Sequence, residues 1–230
     1  MGMPPERLRA AIARMHEPWG GVLCLDFANT LEPRGGPPPV STPPDFSFRD
    51  ELLTYSDLIA WTIHKEALPF AAGVALLETA DRQPGQTSVV VGRAHVLRDA
   101  IYRVFWHIAQ LQAPPAADLA ILAEDYSDGA LAATLNSSDD GVRWQWPDDG
   151  VNLSRPLWPV AWSATELVTT GDSARIKVCP GSPGQPIPCA WLFYDETKNR
   201  SRRWCSMADC GGVTKARRQT ARRRAGKSQA

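Results

Sequence analysis

Four of the five cysteines in this 230-residue chain fall within its last 52 residues, at Cys179, Cys189, Cys205 and Cys210. Nine, fifteen and four residues separate them in turn, so they form two pairs with a segment of β-hairpin length between the pairs. Two turns that each present two thiolates suit a tetrahedral zinc ion. Disulfides and free thiols are the alternatives, and a cytoplasmic setting favours zinc.

A zinc ion would also supply folding free energy to the segment that holds these cysteines. The segment is rich in Pro and Arg and has too little apolar surface to fold by burial alone. A structural zinc site contributes on the order of 10 kcal/mol to folding. Four thiolates leave no open coordination position, so the sequence predicts one structural Zn2+ per chain and no catalytic metal. The fifth cysteine, Cys24, lies in an apolar run and is interpreted as a small buried residue.

Charge is divided unevenly along the chain, although the total is zero. Residues 1–174 carry 12 Lys and Arg against 22 Asp and Glu, whereas residues 175–230 carry 13 against 3. A basic segment of this kind attracts nucleic acid, an anionic membrane surface or the acidic part of the same chain. The change in charge, with the prolines that begin at Pro180, predicts two domains, 1–174 and 175–230. We expect the first to fold without the second.

Apolar spacing predicts an α+β chain, in which a mainly helical N-terminal domain has a minor β element. A small zinc-ribbon-like finger that ends in a basic helix, 212–225, completes it. The other helices are predicted over residues 6–15, within 51–68 with Ser56 as the N-cap, and over 87–111, 116–135 with a break near 127–129, and 157–172. A strand or buried segment is predicted over 22–27, a loop over 32–44, and a short strand or hairpin over 139–150.

The sequence contains no segment that predicts membrane insertion or export. No apolar run approaches the roughly 18 to 20 residues needed to span a bilayer. The N-terminal residues lack the continuous apolar core of a signal peptide. We therefore expect a cytoplasmic protein with no membrane partner.

The stretch "CAWLFYDETKNRSRRWCSMADCGGVTKARRQTARRR" resembles the CGNR zinc finger, a bacterial module. The stretches "LCLDFANT", "LRDAIYRVFW" and "LWPVAWSATELV" resemble the ABATE domain that accompanies it, and the two together cover nearly the whole chain. Proteins of this kind are described as stress-induced transcription regulators. The resemblance implies a sensor domain joined to a DNA-binding finger.

The chain departs from the motif that names the finger. Where the family has Cys-Gly-Asn-Arg, this chain has Cys210, Gly211, Gly212 and Val213. The lost Asn and Arg stand at the start of the basic helix, from which side chains and N–H groups can reach phosphates or base edges. We therefore expect DNA binding with weak sequence selectivity. The nine residues between Cys179 and Cys189 are also more than the family usually has.

Two further sets of residues are candidates for function. The predicted DNA contacts are Arg200, Arg202, Arg203, Lys215, Arg217, Arg218, Arg222 and Arg223. The candidates for a small-molecule site in the first domain are Asp26, Asn29, Thr30, His64, Arg98 and Arg103.

The main hypothesis is a DNA-binding regulator with a ligand-sensing domain, which can act as a homodimer. The alternative is a small-molecule biosynthetic enzyme or ligand-binding protein in which the finger is structural only.

Overall fold

The computed structural model of the protein describes residues 5–15, 17, 19–37, 46–138 and 141–227, with backbone only for residues 138, 218 and 221–227. The helices are α1 (Pro5–Ile12), α2 (Leu23–Ala28), α3 (Tyr55–His64), α4 (Phe70–Arg82), α5 (Pro84–Ala109), α6 (Ala116–Ala132), α7 (Trp158–Thr170) and α8 (Gly212–Lys227). The antiparallel strand pairs are β1 (Leu31–Glu32) with β2 (Arg49–Asp50), β3 (Thr134–Ser138) with β4 (Gly141–Gln145), and β5 (Ile176–Val178) with β6 (Leu192–Tyr194). This mainly helical arrangement with small two-stranded sheets confirms the predicted α+β class.

Helix α5 is the longest described helix and lies at the centre of the core. Its buried side chains include Val90, Ala94, Leu97 and Ile101, which follow the three- and four-residue spacing predicted from the sequence. The helix packs against α2, α6 and β5, among other elements. Each fully buried Leu or Ile contributes about 1.5–3 kcal/mol, so this stripe accounts for the position of the helix.

Helix α2 corrects the interpretation of residues 22–27 as a strand. The segment is buried, as expected, but Leu23–Ala28 is helical and packs against α7 and α5. The Asp26 carboxylate accepts a hydrogen bond from the Gly20 N–H at 2.7 Å and so fixes the chain as it enters the helix. A short continuous apolar run has no periodicity that distinguishes a buried strand from a buried helix.

Helix α3 begins at a different cap from the one predicted. Thr54, not Ser56, is the N-cap. The Thr54 Oγ1 accepts a hydrogen bond from the Asp57 N–H at 3.2 Å, and the Asp57 carboxylate accepts one from the Thr54 N–H at 2.9 Å. This reciprocal capping box requires an acceptor side chain three residues after the cap, and Thr54 has one in Asp57.

Helix α6 runs through residues 127–129 without the predicted break. Gly129 favours close packing there, because a Cβ at this position would lie 3.0 Å from the Cβ of Trp158, which is a tight contact. The glycine therefore allows α6 and α7 to approach closely instead of ending the helix.

The finger strands enter the same core as the helices. Ile176 of β5 and Leu192 of β6 are buried in the main hydrophobic cluster, whereas Phe193 and Trp191 face a second cluster that contains the late cysteines. Successive side chains of a strand point to opposite faces, so β6 contributes to both clusters. The separate folding of residues 1–174 stays a prediction, and this shared core opposes it.

Candidate metal centre and nucleic-acid interface

Strand pairing brings the first two late cysteines together. Cys179 follows β5, and Cys189 comes shortly before β6. The Cys179 N–H donates to the Trp191 carbonyl at 2.8 Å, and the Ala190 N–H donates to the Cys179 carbonyl at 3.1 Å, which extends the β5–β6 pairing to the cysteines. The nine residues between Cys179 and Cys189 therefore form the loop of a hairpin, which explains how this long spacing is accommodated.

A capped turn carries the other two cysteines. The Ser206 Oγ accepts hydrogen bonds from the N–H groups of Ala208 at 3.1 Å and Asp209 at 3.3 Å, at the start of a π-helical turn over Met207–Gly211. Cys205 precedes this turn and Cys210 lies within it. The tight turn thus directs both thiols back towards the hairpin.

The four sulfur atoms have the spacing of a tetrahedral zinc site. The Sγ atoms of Cys179, Cys189, Cys205 and Cys210 all lie within 4.8 Å of one another, and those of Cys189 and Cys205 are 3.7 Å apart. With Zn–S bonds of about 2.3 Å, the edge of a regular tetrahedron is about 3.8 Å. The four cysteines are buried and none forms a disulfide. They fit one structural zinc ion.

The electrostatics of the cluster also favour a cation. Hydrogen bonds from Cys189, Cys205 and Cys210 hold the pKa of the Cys179 thiol well below its usual range. The pKa of Cys205 is raised by its hydrogen bonds with the other three thiols. Because neighbouring thiolates repel one another, the cluster alone cannot hold four charges, and a divalent cation relieves this conflict.

The fifth thiol has a different environment. Cys24 is completely buried in the main core, and burial raises its pKa to about 12. A thiol with such a pKa is protonated at neutral pH and is a poor nucleophile. Cys24 is therefore a packing residue, as its apolar neighbours indicated.

The hairpin at the metal centre is attached directly to the helical part of the protein. The Arg34 N–H donates to the carbonyl of Cys189 at 2.9 Å. The Tyr102 hydroxyl donates to the carbonyl of Ala190 at 2.8 Å, and the Arg34 guanidinium lies 3.9 Å from the centre of the Tyr102 ring. A movement of α5, or of the segment that follows β1, should therefore displace the backbone at Cys189.

Arg202, a predicted DNA contact, is used inside the protein. Its guanidinium donates to the carbonyls of Trp204 at 3.1 Å, Tyr194 at 3.3 Å and Trp19 at 2.6 Å, and also to that of Cys205. These bonds join the finger to the segment before α2. The contact of Arg202 with DNA stays a prediction, and most of the N–H groups of its guanidinium already donate to carbonyls within the protein.

The other predicted DNA contacts differ in their surroundings. Arg200 pairs with Asp172 at 2.8 Å. Arg203, Lys215 and Arg217 are exposed, and no carboxylate of a described residue lies within ion-pair distance of them. Three remaining candidates lie in α8 with side chains outside the described part: Arg218, Arg222 and Arg223.

Several of the predicted ligand-binding residues make hydrogen bonds within the protein. The buried Arg98 donates to both Asp50 oxygens, at 2.6 and 2.9 Å, and to the Thr30 hydroxyl at 3.4 Å. The Asn29 amide donates to the Leu192 carbonyl at 2.8 Å and accepts from the Leu192 N–H at 3.0 Å. These bonds hold the finger strand and the β1–β2 pair.

The last three candidates lie elsewhere. Arg103 pairs with Asp118 through two nitrogens at 2.6 to 3.1 Å. Asp26 and His64 line one cavity of about 430 Å³, where Lys65 lies 3.6 Å from Asp26. Burial raises the pKa of Asp26, and the Lys65 ammonium partly opposes that rise. The six candidates are therefore not brought together in one site.

Sequence reasoning missed a second cavity, of about 410 Å³, beside the metal centre. It is lined by Trp19, Glu32, Trp191, Asp209 and Val213, among others. These residues come from distant parts of the chain, so no local spacing indicates that they meet. The loss of the family's Arg at position 213 was the one available signal.

The start of α8 explains the first departure from the finger motif. A Cβ at Gly212 would lie 2.9 Å from the Met207 carbonyl oxygen, so the π-helical turn has no room for the family's Asn without a backbone shift. The Thr214 hydroxyl donates to the Cys210 carbonyl at 2.8 Å and holds the first turn of the helix to the metal centre.

The geometry defines a four-cysteine zinc finger on a helical domain. Comparison with protein families then identifies the particular family: the chain belongs to the ABATE family, described as "Putative stress-induced transcription regulator", whose model matches residues 21–171. The CGNR zinc finger model matches residues 175–223. Both matches confirm the resemblance inferred from the sequence. No curated protein matches the chain.

The length and hydropathy of the helices bear on whether the chain could cross a membrane. Among the described helices, none is both long and apolar enough to cross a bilayer.

Proposed function

We propose that the protein is a transcription regulator that binds DNA through its zinc finger and senses a small ligand. One observation carries the DNA-binding part. The exposed cations Arg203, just before Cys205, and Lys215 and Arg217, in the first turns of α8, have no carboxylate partner among the described residues. Cations in this arrangement contact phosphates and give affinity without selecting a sequence.

The acidic domain is a less favourable partner for these cations, because five of its aspartates already pair with arginines of the same domain. Arg93 pairs with Asp125 at 2.6 Å, and Arg155 pairs with Asp148 at 2.9 Å. The Arg98–Asp50, Arg103–Asp118 and Arg34–Asp99 pairs follow the same pattern. An external polyanion is the better partner for the cations of the finger.

The start of α8 supports weak sequence selection. Gly212 and Val213 have no side chain that can donate to or accept from a base edge. The contacts to phosphate are independent of sequence, so duplexes of different sequence should bind about equally.

The connection between the two domains supports the sensing part of the proposal. Arg34 and Tyr102 hold the backbone at Cys189 and Ala190, and Asn29 holds β6. A ligand that shifts these groups changes the orientation of the finger, because the finger strands are packed into the same core.

Salt dependence of binding tests the proposal directly. With five phosphate contacts, the plot of log affinity for duplex DNA against log salt should have a slope of about −4 to −5, at roughly −0.9 for each contact. Replacing Lys215 and Arg217 together with Ala should reduce the steepness by about 2 and weaken all sequences alike. Fluorescence anisotropy with labelled duplexes measures both effects.

The control is Arg7→Ala, which removes an exposed cation from α1. It should leave affinity and slope unchanged. A salt-insensitive interaction, or no binding of the zinc-loaded protein at physiological salt, contradicts the DNA-binding proposal.

A further inference from the structure

The cavity beside the metal centre has aromatic walls. It lies where the finger meets β1, and Trp19 and Trp191 form part of it with ring centres 5.9 Å apart and planes inclined at 51°. Phe46 and Pro33 add to the same lining. The faces of aromatic rings attract organic cations, and indole does so most strongly.

Two carboxylates line the same cavity. Glu32 comes from β1 and Asp209 from the turn before α8. No described cation pairs with either of them: Arg49, which faces Glu32 across the strand pair, makes its ion pair with Glu51 at 3.7 Å. The cavity therefore combines aromatic surface with negative charge that the described part of the chain does not neutralise.

The metal centre adds to this negative charge. Cys189, Cys205 and Cys210 belong to the cavity wall. Four thiolates around one zinc ion carry a formal charge of roughly −2. The zinc-loaded protein is therefore more attractive to a cation at this place than the carboxylates alone make it.

Val213 is the lining residue at which this chain departs from the finger motif. It lines the cavity at the position where the finger motif has Arg, two residues after Gly211. An Arg side chain here would bring a guanidinium group to the carboxylates and the indole rings. Valine has a shorter, uncharged side chain and leaves Glu32 and Asp209 without that cation.

We propose that this cavity binds a small organic cation of the guanidinium class, which takes the place of the missing arginine side chain. The inference deepens the ligand-sensing part of the proposed function, because the cavity joins β1 to the first turn of α8. It does not depend on DNA binding, and its test is made without DNA.

Calorimetry on the full-length, zinc-loaded protein tests the proposal with two matched probes. Butylguanidinium and butylurea have nearly the same shape, but only the first is charged. We expect butylguanidinium to bind at least about tenfold more tightly, because both the carboxylates and the indole faces act on its charge. Equal binding of the two probes, or no binding of the cation at millimolar concentration, overturns the proposal.

Variants locate the binding. Glu32→Gln and Asp209→Asn should each weaken butylguanidinium about threefold to tenfold, because each removes one charge from the wall. Val213→Arg should abolish binding by supplying the guanidinium from the chain itself. The control Glu196→Gln removes an exposed carboxylate that is not part of the cavity and should have no effect.

Zinc content is measured for every variant, because Asp209 and Val213 flank Cys210. Unchanged affinity in Val213→Arg, or an equal loss in Glu196→Gln, places the cation elsewhere and overturns the proposal. A protein that binds butylguanidinium but no DNA refutes the DNA-binding function alone. One that binds DNA but no cation refutes this inference alone.

Discussion

The main core and the finger cluster stabilise neighbouring parts of the same chain in different ways. The main core contains aliphatic and aromatic side chains from all of the helices α1 to α7, together with two strand residues of the finger. In the second cluster, the buried members are the four late cysteines with Trp191 and Phe193. The first gains its stability from apolar area, whereas the second has little such area and many thiols.

Because of this difference, different changes should destabilise the two parts. The main core responds to loss of volume, because closely packed side chains leave a cavity when they are shortened. The finger responds to loss of metal, to pH and to oxidants, because its sulfurs need a cation to remain together. The two meet along β6, where the side chains of adjacent residues belong to different clusters.

The largest expected effect follows from removing one metal ligand. Cys205→Ser should abolish stoichiometric zinc binding and unfold the turn that carries Cys205 and Cys210, since a structural site is worth on the order of 10 kcal/mol. Zinc analysis and hydrogen exchange of the finger amides measure this. The matched control Cys24→Ala removes a thiol from the main core and should lower the melting temperature while zinc content stays at one per chain. Full zinc content in Cys205→Ser would contradict the assignment of the ligands.

A smaller effect is expected from shortening two adjacent side chains of β6, one in each cluster. Leu192→Ala should cost about 2–5 kcal/mol of global stability, because Leu192 is completely buried in the main core. Phe193→Ala removes a completely buried ring from the finger cluster, so it should act chiefly on zinc retention against a chelator. Thermal melts and chelator competition give the two readouts. The same change in both readouts for both variants would show that the clusters are one energetic unit.

The smallest effect is a difference in pH dependence. In the main domain, burial raises the pKa of Asp125 to about 6, although Arg93 opposes the rise. The folded protein therefore binds more protons than the unfolded chain between about pH 4 and 6, and stability should fall by no more than about 3 kcal/mol as pH rises through that range. Melts of the wild type and of Asp125→Asn across this range test it; parallel curves would contradict the assignment.

Asp195 in the finger should change stability with pH in the opposite direction, because its pKa is lowered and not raised. Burial works against its ionisation, but donors from Lys177, Thr197 and the Arg202 N–H outweigh burial and hold its pKa well below the usual range. Its contribution is therefore complete above about pH 4 and is lost as pH falls further. Acid should release zinc from the finger before the main domain melts, which a colorimetric zinc indicator can follow alongside circular dichroism.

The sequence predicts the parts of this structure that depend on local pattern. The stripe of α5 and the four cysteines follow from spacing, since one reflects helix periodicity and the other the ligand geometry of zinc. Residues 22–27 were predicted to form a strand or a buried segment; the burial is confirmed and the strand was wrong, because a continuous apolar run is compatible with either a strand or a helix. The cap at Ser56 was wrong because the choice between two hydroxyl residues depends on Asp57.

The roles of polar residues were harder to predict. Asn29 and Arg98 were predicted to bind a small ligand and Arg202 to contact DNA, and each bonds to a group distant in sequence: Leu192, Asp50 and Trp19. Such partners are decided by how the chain folds back on itself. The cavity at Trp19 and Val213 was missed for the same reason, because it exists only after the finger has docked on β1.

The two-way bond between Asn29 and Leu192 has a consequence for self-association. A two-stranded sheet normally leaves an open edge that can recruit a strand from another molecule. Along the outer side of β6, Asn29 occupies both backbone groups of Leu192, the Gly20 carbonyl accepts from the Tyr194 N–H at 2.7 Å, and Arg202 donates to the Tyr194 carbonyl. Asn29 and Gly20 of the first domain, with Arg202 of the finger, therefore bond to the backbone groups that a neighbouring strand would otherwise pair with. Loss of zinc should loosen the turn with Cys205 and Cys210 while the groups at Gly20 and Asn29 still protect this edge from aggregation.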